Sequence, residues 1–166
     1  MDFELSPELQ ELQLRARKVA AEGVAEFGRF NDSWINGFSK GFARRMSEEG
    51  WIGMGWPKEH GGQERPPIER VIVAEEMISV GAPIAAMWFA DRQMGPTLIA
   101  YGTPDQQAEY LPAMLAGETT WCIGMSEPDS GSDLASLKTS AVRDGDHFVI
   151  NGQKIFITYG DHDMAE

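Results

Sequence analysis

Chemistry-bearing residues are densest between Gly124 and Asp133, in the run Gly-Met-Ser-Glu-Pro-Asp-Ser-Gly-Ser-Asp. A short apolar segment enters a tight turn there. Gly131 permits close backbone approach or a positive φ, and Ser126, Ser130 and Ser132 set hydroxyls beside free amides. Such a turn can hold a phosphate or the polar edge of a flat ring. It lacks the Gly-Lys-Ser/Thr ending of a P-loop and the Gly-x-Gly-x-x-Gly of a dinucleotide fold. On the residues alone, an ordinary capped turn is the favoured reading of the same stretch. Glu127 and Asp133 add carboxylates that acid–base chemistry could use.

Elsewhere the candidates are sparse. His60, His147 and His162 are far apart and lack ligand spacing with Cys122, so no metal site is expected. Cys122 is the single cysteine, which excludes an internal disulfide and fits a reducing compartment. It reads as a small buried hydrophobe. Met77, Met87, Met94 and Met114 read as core fillers, and Trp51 and Trp56 as wall packing beside a glycine-rich loop.

The elements that must position the turn change period along the chain. Ser6-Pro7 is an N-cap followed by a first-position proline. After it Leu9, Leu12, Ala16, Val19, Ala20, Val24 and Phe27 recur at helical spacing. Phe42 and Met46 mark a second helix stopped by Gly50. Gly53 to Pro67 is a loop on its glycines and prolines. A third helix follows from Ile68 and ends at Gly81. Pro83 to Ala100 is apolar on most sides, the pattern of a central helix that Pro96 kinks or restarts. Thr103-Pro104-Asp105-Gln106 is a capping box opening a helix that Gly117 closes. Beyond it the runs Thr119–Met125, His147–Ile150 and Lys154–Thr158 are short and β-prone. Asp144-Gly145 and Asn151-Gly152 between them are hairpin signals. The expectation is an α+β chain: an all-α bundle domain over 1–118, then the first strands of a β-barrel-like middle domain over 119–166. Three or four strands leave an open edge and half a core, so a longer parent polypeptide is expected.

Charge narrows the partners. Fourteen basic and 26 acidic residues among 166 give a formal charge of −12, which repels nucleic acid. A nucleotide ligand would need backbone amides or helix N-termini, because no positive field draws it in. No run approaches a membrane span, and the start Met1-Asp2-Phe3-Glu4-Leu5 lacks the order of a signal peptide. A cytoplasmic location is expected.

Residues 124–136, GMSEPDSGSDLAS, resemble the signature of the acyl-CoA dehydrogenases at every defined position. Gly55 to Gly62 (GWPKEHGG) resembles the loop between that family's early helices. Gly95 to Glu118 resembles its helix leading to the β-domain, and Asn151 to Thr158 its flavin-contacting strand. The resemblance implies FAD-dependent α,β-dehydrogenation of an acyl-CoA thioester, in fatty acid or other lipid metabolism. Carried over position by position, it sets Ile123, Met125 and Ser126 along the flavin, with Ser126 bonding its pyrimidine edge. Gly131 and Ser132 fall near the FAD pyrophosphate and the entering thioester, so Ser132 is also a substrate contact. Phe156 packs on the ring, and Thr158 lies near N5. Tyr159 is bulkier than the small residue expected there. The family treats Glu127 and Asp133 as scaffolding. Its base comes from a C-terminal helical domain absent from residues 1–166, so these residues alone are expected to be inactive. It also implies an oligomer and an electron-transfer flavoprotein as acceptor. A flavin monooxygenase or nitroalkane-oxidising relative of the same fold, or a non-catalytic subunit of a mixed oligomer, are the alternatives.

Overall fold

The computed structural model describes residues 4–160. They fall into two compact units, one running through Trp121 and one starting at Cys122. His162 lies outside the described residues.

The first unit is helical, and local capping sets most of its boundaries. Helix α1 (Pro7–Phe27) opens on Ser6, whose side chain accepts the Leu9 N–H, with Pro7 in the first turn. Helix α2 (Lys40–Glu48) is capped by Ser39, and α3 (Pro67–Val80) ends at Gly81 with φ +77°. The capping box of α6 (Pro104–Leu115) is complete: Gln106 N–H donates to Thr103 Oγ1 at 3.3 Å, and Thr103 N–H to Gln106 Oε1 at 2.9 Å.

The central segment is not one regular helix. It is α4 (Ala85–Phe89), a π-helical turn (Ala90–Met94) and α5 (Gly95–Tyr101) in direct succession. Pro96 sits in the first turn of α5, where its missing N–H leaves no helical bond broken. Around these elements Phe42, Trp51, Met54, Met77 and Met114 are fully buried, each burial being worth about 1.5–3 kcal/mol. The methionines expected in the core are there, with Met87 buried and Met94 packed against it.

The second unit contains one antiparallel hairpin, β1 (Ser140–Asp144) and β2 (His147–Asn151), with Asp144 paired to His147. Gly145 at φ +60° makes the tight turn that the Asp-Gly pair predicts. Two expected strands are absent. Thr119–Met125 and Lys154–Thr158 have irregular backbone. A strand exists only through its ladder, and here a single backbone–backbone bond, Ile155 N–H to Ser126 O at 2.9 Å, links the second run to the residue after the first. The Asn151-Gly152 pair therefore closes no second hairpin. Cys122 is exposed, not buried as its residue type suggested. No helix among the described residues is long and apolar enough to cross a membrane.

Candidate functional site

Glu127 organises the turn that the sequence singled out. It is buried, at 6% exposure, and its backbone exchanges two hydrogen bonds with Ser130 across the turn. Its carboxylate accepts the Lys138 N–H at 2.7 Å and the Thr139 N–H at 2.9 Å. Lys154 Nζ donates to Glu127 Oε1 at 3.0 Å and to the Met125 carbonyl at 3.0 Å. Thr139 beside it, then the Lys138 amide and the Lys154 ammonium, hold the Glu127 carboxyl down to about 2. A carboxylate so stabilised is a weak proton acceptor and a strong clamp.

Two of the three serine hydroxyls stay available. Ser130, buried, spends its hydroxyl on the Asp133 carbonyl, and Ser136 bonds the Asp133 carboxylate, so this pair closes the turn. Ser126 and Ser132 instead line a cavity of about 540 Å³ together with Met125, Gly131, Ile155 and Phe156. A Cβ at Gly131 would meet nothing within 4 Å, so the backbone there lies open to a ligand. Phe156 is 90% exposed at φ +55°, an unfavourable conformation for a bulky side chain. Met125 is half exposed on the same wall.

Five of the seven residues expected to contact a cofactor thus share one cavity: Met125, Ser126, Gly131, Ser132 and Phe156. Ile123 and Thr158, both half-buried, do not line it. Tyr159 is buried, at φ +62°, and burial pushes its phenol up to about 12. Lys154 is the residue that sequence reasoning missed. Its signal was a lone cation at the head of an apolar run.

An acyl-CoA dehydrogenase N-terminal domain model matches residues 6–118, and the middle domain model of the same family matches residues 122–165. The chain belongs to the acyl-CoA dehydrogenase family. Acyl-CoA dehydrogenase FadE29 of Mycobacterium tuberculosis is 41% identical over 165 residues, 98% of this chain and 42% of that protein. Among solved structures, the Tcur3481-Tcur3483 steroid ACAD superposes with a TM-score of 0.83 at 38% identity, covering 94% of this chain and 41% of that one. The ChsE4-ChsE5 complex from Mycobacterium tuberculosis gives 0.79 at 36%, covering 93% and 39%. The chain therefore spans less than half the length of these acyl-CoA dehydrogenases.

Acyl-CoA dehydrogenases are FAD-dependent. The residues on the cavity wall suit one side of such a group. Met125, Ile155 and Phe156 offer apolar surface to a flat ring, and Ser126 and Ser132 offer hydroxyls to polar edges. Gly131 leaves room for a phosphate at the backbone. The one buried carboxylate beside them, Glu127, is matched by Lys154.

Proposed function

We propose that this chain supplies the helical N-terminal part and one wall of the flavin site of an acyl-CoA dehydrogenase that forms an α,β double bond in an acyl-CoA thioester. The strongest support is the convergence of Met125, Ser126, Gly131, Ser132 and Phe156 on one cavity in a member of this family. The site would hold FAD, which would supply the acceptor for a hydride from Cβ, the Cα proton going to a base.

The chain's own residues bind and orient. Met125 and Phe156, with Ile123 beside them, give the ring an apolar face. Ser126 bonds its polar edge, and Thr158 is the proposed neighbour of its reactive nitrogen. Gly131 and Ser132 receive the pyrophosphate and the thioester. The α-proton of a thioester is too weakly acidic for a carboxylate unless the carbonyl is polarised in a dry site. No residue in 1–166 matches the family's base, and Glu127, with its carboxyl at about 2, does not substitute for it. Residues 1–166 by themselves are therefore proposed to be inactive.

Two similar structures carry the names of two proteins each, which favours a mixed oligomer with a second, complementary chain. A cytoplasmic setting in lipid metabolism and an electron-transfer flavoprotein as acceptor complete the proposal. The test is an absorption spectrum of the purified chain with added FAD, before and after anaerobic addition of an acyl-CoA. A bound flavin that persists on addition supports the reading. Bleaching by the 166-residue chain alone would refute the assignment of the base to other residues, and failure to retain flavin even with a co-purifying partner would refute the site.

A further inference from the structure

The helical unit holds a second concavity that the flavin reading does not use. Two cavities there share Arg70 on their walls. The inner one, about 20 Å³, is faced by Trp51, Trp88, Asp91 and Arg92 among apolar side chains. The outer one, about 410 Å³, includes Gly55, Pro57 and Pro67. Asp91 and Arg92 lie on the π-helical turn, a rare element that recurs at functional sites.

Donors on the inner wall outnumber acceptors. Trp51 is 2% exposed and its Nε1–H meets no acceptor. The Arg92 Nε–H is buried without one. Arg70 has no ion-pair or hydrogen-bond partner among the described residues. Asp91 is the one carboxylate on this wall, and its Oδ1 already accepts the Gly53 N–H at 2.7 Å. Two guanidiniums and one carboxylate leave a formal charge of +2 − 1 = +1, inside a chain whose overall charge is −12. Burial pushes the Asp91 carboxyl up, against the Gly53 bond and the two arginines, and pushes the Arg92 guanidinium down, so both charges are held at a desolvation cost. The Arg92 guanidinium carbon lies over the Trp88 ring, 4.0 Å from its centroid, a cation–π contact that restrains its position.

A water molecule in the inner space would bring no charge. An ionised carboxylate is acceptor-only, offers two oxygens, and matches the planar guanidinium fork. We propose that this site binds a carboxylate group, received by Arg70, Arg92 and the Trp51 indole, with the rest of the ligand in the outer cavity. The carboxylate can belong to a free small acid or stand at the far end of an acyl chain. Neither source depends on the flavin site.

Trp51 and Trp88 report on the site, so intrinsic fluorescence of the full chain is titrated with adipate and, separately, with adipoyl-CoA. Adipamide and hexanoyl-CoA are the uncharged counterparts. A saturable change with a carboxylate, absent with its counterpart and weakened at least about tenfold in Arg70→Gln and Arg92→Met, is expected. Saturation by adipate assigns the site to free acids, and saturation by adipoyl-CoA alone assigns it to an acyl terminus. Should Arg92→Met fail to fold by circular dichroism, Arg70→Gln carries the test, since Arg70 is half-buried and unpaired. No saturable change with either acid, equal change with the uncharged counterparts, or undiminished affinity in the folded variants would overturn the proposal.

Discussion

Lys154 Nζ stands 3.0 Å from Glu127 Oε1 and also holds the Met125 carbonyl, so one cation ties the irregular segment after the hairpin to the serine-rich turn before it. Removing that cation with Lys154→Met leaves the buried Glu127 charge with backbone N–H donors only. Faster hydrogen exchange at the Lys138 and Thr139 amides is expected, with exchange in α1 unchanged. Equal protection in wild type and variant would show that the ammonium does not hold the turn.

Glu127 also predicts a pH dependence. Its carboxyl is depressed from 4.5 to about 2 on folding, so the stabilisation is fully present above the unfolded value and disappears as pH falls through the folded one. The melting-temperature difference between wild type and Glu127→Gln should be constant above pH 4.5 and shrink between about 4.5 and 2. A difference that grew on acidification would contradict the sign.

Asp91 and Gly53 form a buried contact in which the carboxylate accepts a backbone N–H. Asp91→Ala strands that N–H and should lower unfolding free energy by about 1–3 kcal/mol in urea denaturation. Asp91→Asn retains an acceptor and should lose less. Two variants of equal stability would argue against the bond.

Gly95 opens α5 against the Trp56 indole, where an added Cβ would lie 2.0 Å from Cζ2. The ring cannot easily retreat, because its Nε1–H donates to the Asp91 carbonyl at 2.9 Å. Gly95→Ala should therefore destabilise by about 1–3 kcal/mol or more. Gly55→Ala, with open space around it, is the control expected to leave the melting temperature near wild type.

Phe156 combines a left-handed backbone with almost complete exposure. Phe156→Gly relieves roughly 1–2 kcal/mol of backbone strain and loses little packing, so stability should hold or rise. Flavin affinity, read by fluorescence quenching, should fall in the same variant. Unchanged affinity would remove Phe156 from the proposed ring contact.

The legible parts of this fold were those decided within a few residues. Ser6-Pro7 and Thr103 with Gln106 name helix starts because a cap bonds amides two or three positions ahead. Asp144-Gly145 names a hairpin because the turn needs a positive φ, which glycine adopts freely. The Gly124–Asp133 turn was legible as a candidate for the same reason, and four of its expected contact residues meet Phe156 at one cavity.

Distant pairings decided the rest. The β-prone runs Thr119–Met125 and Lys154–Thr158 stay irregular because hydrophobic alternation cannot supply a neighbouring ladder. Asp91 finds Gly53 across 38 positions, and Glu127 gathers donors 11, 12 and 27 positions away. No local period encodes such contacts. Residue types alone determined the helices, the tight turns and the family; tertiary structure determined which hydroxyls stay free, which carboxylate becomes a clamp, and where two arginines share a single carboxylate. The division follows from range: capping and turn geometry act within one turn of chain, whereas burial and charge compensation depend on residues that only the folded chain brings together.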